Sequence, residues 1–187
     1  MNRRAAWSAA VALALMLCQY GVIRTAPSGI AVRIVVPMTI AAVPLALSSF
    51  RHRIGVWIMF VGMAANLAAI LANGGLMPIQ RDTLVEAAGE ARAAQYATGD
   101  WVSGSKDVLV GPDGGHLVAL GDGIIIRFGS AGVVASPGDL VVWVGLAVFA
   151  AEASLAMQRS RRAERERSAG QETGVQAGAE GGAATQT

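Results

Sequence analysis

Asn66 and Glu152 are polar residues inside long apolar stretches, where an amide or a carboxylate either bonds across packed helices or lines a polar path. Around Asn66, the residues Gly55, Gly62, Asn66, Ala69 and Asn73 recur at spacings of seven, four, three and four. These spacings put small and polar groups on one helical face. The pattern predicts close backbone packing with Asn66 bonded to a neighbouring helix; a polar path through a bundle is the alternative. Glu152 precedes Met157 by five residues, about 7.5 Å of helical rise. That short distance predicts pairing at a membrane interface near Arg51, His52 or Arg53, ahead of a proton relay. Pro37 and Pro44 stand seven apart in another apolar stretch, and each removes a backbone donor. They allow a hinge or a lined kink, or Pro37 simply begins a shorter helix.

Other chemistry is poorly supported. His116 has Asp113 and Asp122 nearby, but without metal-ligand spacing, so no metal site is expected. His52 and His116 fall on opposite sides of the expected topology and cannot share a haem. No Gly-x-Ser-x-Gly, P-loop or His-Glu-x-x-His motif occurs. Cys18 is the single cysteine, which excludes an internal disulfide and a Cys-x-x-Cys pair. Basic residues do not cluster with aromatics, so nucleic acid is not an expected partner. No cofactor is expected.

The elements that hold these residues follow from composition. Of the 187 residues, 53% are hydrophobic and only 15% charged, against about 25% charged in soluble domains. Mean hydropathy is +0.48. Such a chain lacks the polar surface of a water-soluble globule of its size, which makes the bilayer the expected solvent. Crossing about 30 Å of hydrocarbon takes about 20 apolar residues in a helix. Four stretches qualify: about 5–23, 31–50, 54–72 and 139–157. The first resembles a signal peptide in carrying Arg3 and Arg4 ahead of it, but it is long and lacks a clean small-x-small site, so an uncleaved anchor is expected. Arg3 and Arg4, the Arg51-His52-Arg53 link, and the arginines from Arg159 to Arg167 fall on one side of a four-span chain. That side reads as cytoplasmic, with both termini inside, although Arg24 and Arg33 mildly oppose it.

The loop 73–138 holds four basic and seven acidic residues, and is expected outside and partly structured. Asp82 or Thr83 is a candidate cap, with Thr83 and Glu86 at capping-box spacing, for a helix running to about Ala97. Val108–Val110, Leu117–Leu120 and Ile124–Ile126, separated by Gly-rich turns, predict short strands or an extended segment on the bilayer surface. Asn73-Gly74-Gly75 and Pro78 predict a left-handed stop to the third helix. Ser136 or Asp139 can cap the fourth. Residues 158–187 hold one large aliphatic, Val175, and predict a disordered cytoplasmic tail.

Three stretches together resemble the bacterial membrane family known as domain of unknown function 5317. They run from Asn66 through Asn73-Gly74-Gly75-Leu76-Met77-Pro78, from Leu117 to Gly121-Asp122, and over Ser136-Pro137-Gly138-Asp139-Leu140. The resemblance spans roughly residues 20–155 and rests most on the Asn-Gly-Gly-x-Met-Pro segment. It implies an integral membrane protein and no particular activity. On that reading the motif residues Asn73, Gly74, Gly75, Met77, Pro78, Gly121, Asp122, Gly138 and Asp139 form one outer cap over the bundle.

The sequence therefore predicts an all-α integral membrane protein of four transmembrane helices, residues 1–157, with a partly structured outer loop of a short helix and short strands. The expected location is a bacterial inner membrane. The expected role is a non-enzymatic scaffold or subunit of a membrane or envelope assembly, with the lipid bilayer and a membrane-protein partner or a second copy as partners. A small oligomeric transporter or channel using Asn66, Pro37, Pro44 and Glu152 is one alternative. A membrane enzyme on lipid-linked substrates, needing outer-loop Asp and His residues to converge, is the other.

Overall fold

A computed structural model describes the backbone of residues 3–112, 114–128 and 131–183, and the side chains of 3–112, 114–127 and 132–162. Two compact units divide the chain, Met1–Val148 and Phe149–Thr187. Among the described residues, four helices are long and apolar enough to cross a membrane. They are α1 (Arg3–Thr25), α2 (Gly29–Ala46, continued by a 3-10 turn, Leu47–Phe50), α3 (Ile54–Ala72) and the first 26 residues of the last helix, α6. The stretches expected from apolar length are thus all helical. α3 matches its expected bounds because Arg53 at one end and the Asn73-Gly74-Gly75 stop at the other leave no choice of frame.

In α3 the small and polar residues face inward with Val56, Met59 and Ile70, while other large apolar side chains face outward. Gly55, Val56, Met59, Gly62, Asn66, Ala69 and Ile70 are buried, while Ile54, Trp57, Val61 and Leu71 are exposed. A helix folded for water carries polar side chains on its exposed face instead. α1 buries only Ala12 and exposes Trp7, Leu13, Leu17 and Tyr20.

A small lobe is built from the 73–135 segment. It contains β1 (Met77–Gln80), α4 (Arg81–Ala88), α5 (Glu90–Ala93), β2 (Asp107–Val110), and a hairpin of β3 (Ile124–Phe128) and β4 (Ala131–Ala135). β1 and β2 pair in parallel with Met77 opposite Asp107, and Ile79 makes a further parallel bridge to Asp122. On β2 the pleat sends Val108 and Val110 to one face and Leu109 to the other. Met77, Val108 and Val110 pack with Val32 and Val36 of α2 and Ala69 and Ile70 of α3. Ile79 and Leu109 pack with Leu84, Ala93 and Val102 inside the lobe. One two-stranded ladder thereby joins the helix ends to the lobe core.

Several expectations for this segment are corrected. The helix from 82 to 97 is two pieces, because Gly89 adopts φ +87° and breaks it. Its N-cap is Gln80 with no side-chain bond, so Thr83 and Glu86 form no capping box. Arg81 instead bonds the carbonyls of Ala93 and Tyr96 at 3.1 and 2.8 Å, closing the far end. The expected strand at 117–120 is a 3-10 turn, Val118–Leu120, entered through Leu117 at φ +52°. Met77–Gln80, read only as the close of a helix stop, is a strand. The backbone of α6 (Pro137–Ala183) runs on beyond residue 157 into the segment whose composition predicts disorder. Residues 184–187 lie outside the described residues.

α2 stays helical through both prolines. Pro37 has no N–H to offer the carbonyl of Arg33, four residues back. That carbonyl meets the chain again at Gly75, whose φ is +89° and where any Cβ would collide with Arg33 O. Only glycine fits there.

Candidate functional site

The buried polar residues concentrate where the lobe meets the helices. Asn66, Asp107, Asp122 and Ser136 are all buried there, and Thr39 stands apart on α2. The hydroxyl of Thr39 lies 2.8 Å from Val35 O and 2.7 Å from Gln19 Oε1.

The first part of the site is the seam between α3 and the start of α6. The ideal Cβ of Gly62 would lie 2.5 Å from Gly138 O, and that of Gly145 2.6 Å from the Met59 nitrogen and 2.8 Å from Gly55 O. Gly55 and Gly62 on one helix thus meet Gly145 and Gly138 on the other, one heptad apart, with backbone nearly on backbone. This is the small-residue packing that the spacing on α3 predicts.

At the top of the seam, Ser136 and Asp139 cap α6 reciprocally. Asp139 N donates to Ser136 Oγ at 3.0 Å and Ser136 N donates to Asp139 Oδ2 at 3.0 Å. This is a capping box with Asp at the third position. Asn66 completes it from α3: its Nδ2 donates to Asp139 Oδ1 at 2.7 Å, and its Oδ1 accepts from Ser136 Oγ at 2.8 Å. Four hydrogen bonds therefore close a ring across two helices. Asn66→Leu removes two of them and strands buried Ser136 and Asp139 atoms. The expected loss is about 2 kcal/mol, read from the unfolding midpoint of the purified variant; an unchanged midpoint would show that Asn66 does not hold α6.

The second part is ionic. Lys106 Nζ lies 2.5 Å from Asp122 Oδ2 and 3.8 Å from Asp107 Oδ1. Asp107 opens β2, and Asp122 is held by its N–H donating to Pro78 O at 3.0 Å. Gly121 passes so close to Pro78 O that a Cβ could not be accommodated. Asp107 Oδ1 and Asp122 Oδ1 are both buried with no hydrogen-bond partner. Burial pushes the Asp122 carboxyl up to about 7; Lys106 pulls it back in part, and Asp107 and Asp139 add to the rise. Burial acts to lower Lys106, but the charges of Asp107, Asp122 and Asp139 outweigh it and hold the ammonium above its ordinary value.

The third part is the α3 stop. Gly74 and Gly75 adopt φ +69° and +89°, and Gly75 N donates to Ile70 O at 2.9 Å. Asn73 itself is not left-handed. Its side chain clamps the 111–117 loop instead, with Oδ1 accepting from His116 N at 2.9 Å and Nδ2 donating to His116 O at 2.6 Å. Arg33 Nη1 donates to Gly74 O at 3.0 Å.

The structure thus brings Gly62, Asn66, Gly138 and Asp139 into one knot, and Asn73, Gly74, Gly75, Met77, Pro78, Gly121 and Asp122 into the lobe junction beside it. Ala69 is fully buried in the apolar core. Glu152 is half-buried on α6 in the second unit. His116 is exposed whereas Asp122 is buried against Lys106, and Asp113 lies outside the described residues. Among the described residues, no three His, Cys, Asp or Glu side chains are grouped to hold a metal ion. Sequence reasoning missed Lys106 and Asp107. A usable signal existed, since Lys106 is the sole lysine of a chain whose other basic side chains are arginine or histidine, and an aspartate follows it.

These features define a class of protein: long apolar helices closed at one end by a small mixed lobe, with a buried ionic cluster at the joint. The chain belongs to a family of unknown function, DUF5317, whose model matches residues 1–151. No curated protein and no solved structure matches the chain.

Proposed function

We propose that this chain is a multi-pass protein of a bacterial cytoplasmic membrane, with its lobe outside and both termini inside, acting as a non-enzymatic scaffold or subunit of an envelope assembly. Four apolar helices that each expose large apolar side chains support the membrane placement. Exposed aromatics support it further. Trp7 and Tyr20 on α1 are thirteen residues apart, about 20 Å of rise, and Trp57 and Trp143 lie near the starts of α3 and α6. The arginines of the 51–53 link favour the cytoplasm for the end away from the lobe.

The observation that carries the scaffold reading is the state of Asn66. Both atoms of its amide are engaged by the α6 cap, and beneath it the seam is closed by glycine backbone at Gly62–Gly138 and Gly55–Gly145. Such polar groups hold helices together and leave no line of donors and acceptors along the seam, which weighs against a transporter path. Native mass spectrometry of the protein extracted in mild detergent from its own host tests the reading. A partner at fixed stoichiometry is expected. A lone homo-oligomer carrying a retained small molecule would overturn it in favour of the transporter.

A further inference from the structure

At the joint between lobe and helices the Lys106 ammonium pairs with Asp122 and lies near Asp107, and Asp139 adds a third negative charge that acts on both Lys106 and Asp122. Asp139 has both oxygens occupied by donors, from Asn66 and from its own cap. Asp122 and Asp107 each keep one buried oxygen with no donor. A buried group with surplus negative charge and unmet acceptors is costly, and taking up a proton is the cheapest relief.

We propose that this cluster is a buried proton-binding site, and that proton release from it loosens the lobe from the helices. The groups facing Asp122 are few. Lys106 and Asp107 face it from the β2 side, and Asp139 from α6. β1 contributes only the Pro78 carbonyl and the bridge at Ile79. The 3-10 turn Val118–Leu120 carries no titratable side chain. Arg127 of β3 is spent at the surface on Glu86, 3.0 Å away. No second cation among these neighbours compensates a fully ionised cluster.

The mechanical link is short. Asp122 is fixed through its N–H to β1, Asp107 begins the strand paired with β1, and Asp139 begins α6. Repulsion among the three carboxylates therefore acts directly between the 121–123 link, the β1–β2 ladder and the α6 cap. The folded Asp122 carboxyl, near 7, lies above its unfolded value of 3.8. Its contribution is consequently complete below 3.8 and is lost as pH rises through about 7. One linked proton changes the opening equilibrium by up to about tenfold per pH unit in that interval.

The proposal stands apart from the scaffold reading, and a lone homo-oligomer in the native spectrum leaves it intact. Hydrogen exchange of the full chain in detergent tests it, with rates corrected for intrinsic chemistry. Opening of 77–80 and 107–110 is expected to rise tens of fold between pH 5 and pH 8, then level off. Asp122→Asn is expected to abolish the rise and hold opening at the wild-type pH 5 level. A flat wild-type profile, or a full rise retained in the variant, would overturn the proposal. Should the variant not fold, carbon-13 NMR of the wild-type aspartates decides: one carboxyl titrating near neutrality supports the site, and all titrating below pH 5 refutes it.

Discussion

Lys106→Met is expected to destabilise the lobe by about 3–5 kcal/mol at pH 8. The lysine stands 2.5 Å from a nearly fully buried carboxylate, and methionine would fill its volume without its charge. Asp122 and Asp107 would then lose their counter-ion. The loss comes from leaving charge unpaired in a poorly hydrated place, and it exceeds the worth of the intact pair. Two further results follow from the same cause. The deficit shrinks as pH falls, because Asp122 can take up a proton. The double variant Lys106→Met with Asp122→Asn recovers much of the stability, because the charge most in need of a partner has been removed. Denaturant unfolding in detergent at pH 5 and pH 8 measures all three. Equal losses at the two pH values would show that packing, and not charge, explains the lysine.

Gly138→Ala is expected to cost about 3 kcal/mol through a different mechanism. A methyl group there would collide with Asn66 Oδ1 and come within 2.7 Å of Gly62 O. Backbone cannot move aside as a flexible side chain can, so α6 must lift away from α3 and the ring of four hydrogen bonds must open. Gly21→Ala is the matched control: nothing lies within 4 Å of its Cβ position on α1, and removing a glycine from a helix is favourable by up to about 1 kcal/mol. Thermal unfolding of the two variants should move in opposite directions, or fall for Gly138→Ala and hold still for Gly21→Ala. Equal behaviour would mean that α3 and α6 are not in backbone contact.

The long helices were legible because their requirement is local: an uninterrupted apolar run with an arginine or a glycine pair at its ends. The cap of α6 was legible for the same reason, since Ser136 and Asp139 are three residues apart. The small-residue face of α3 was visible in its spacing, but its partners were not. Gly138 and Gly145 pair with it from far along the chain, and no periodicity on one helix names the other. β1 was hidden because Met77-Pro78-Ile79-Gln80 is short, contains a proline, and finds its partner only at 107–110. β4 was hidden because Ala131, Gly132 and Ala135 give it little strand character. The ionic cluster was hidden because sequence spacing says nothing of Lys106 meeting Asp122 across two turns.

The Asn66 ring also has a consequence for biogenesis. Asn66 finds its partners 70 and 73 residues later in the chain. At about 5–20 residues per second, a ribosome takes roughly 4–15 seconds to deliver them. During that interval the Asn66 amide is without its α6 partners. The ring closes only when the start of α6 has been made, so a chain stopped within the lobe lacks the contact that ties α3 to α6.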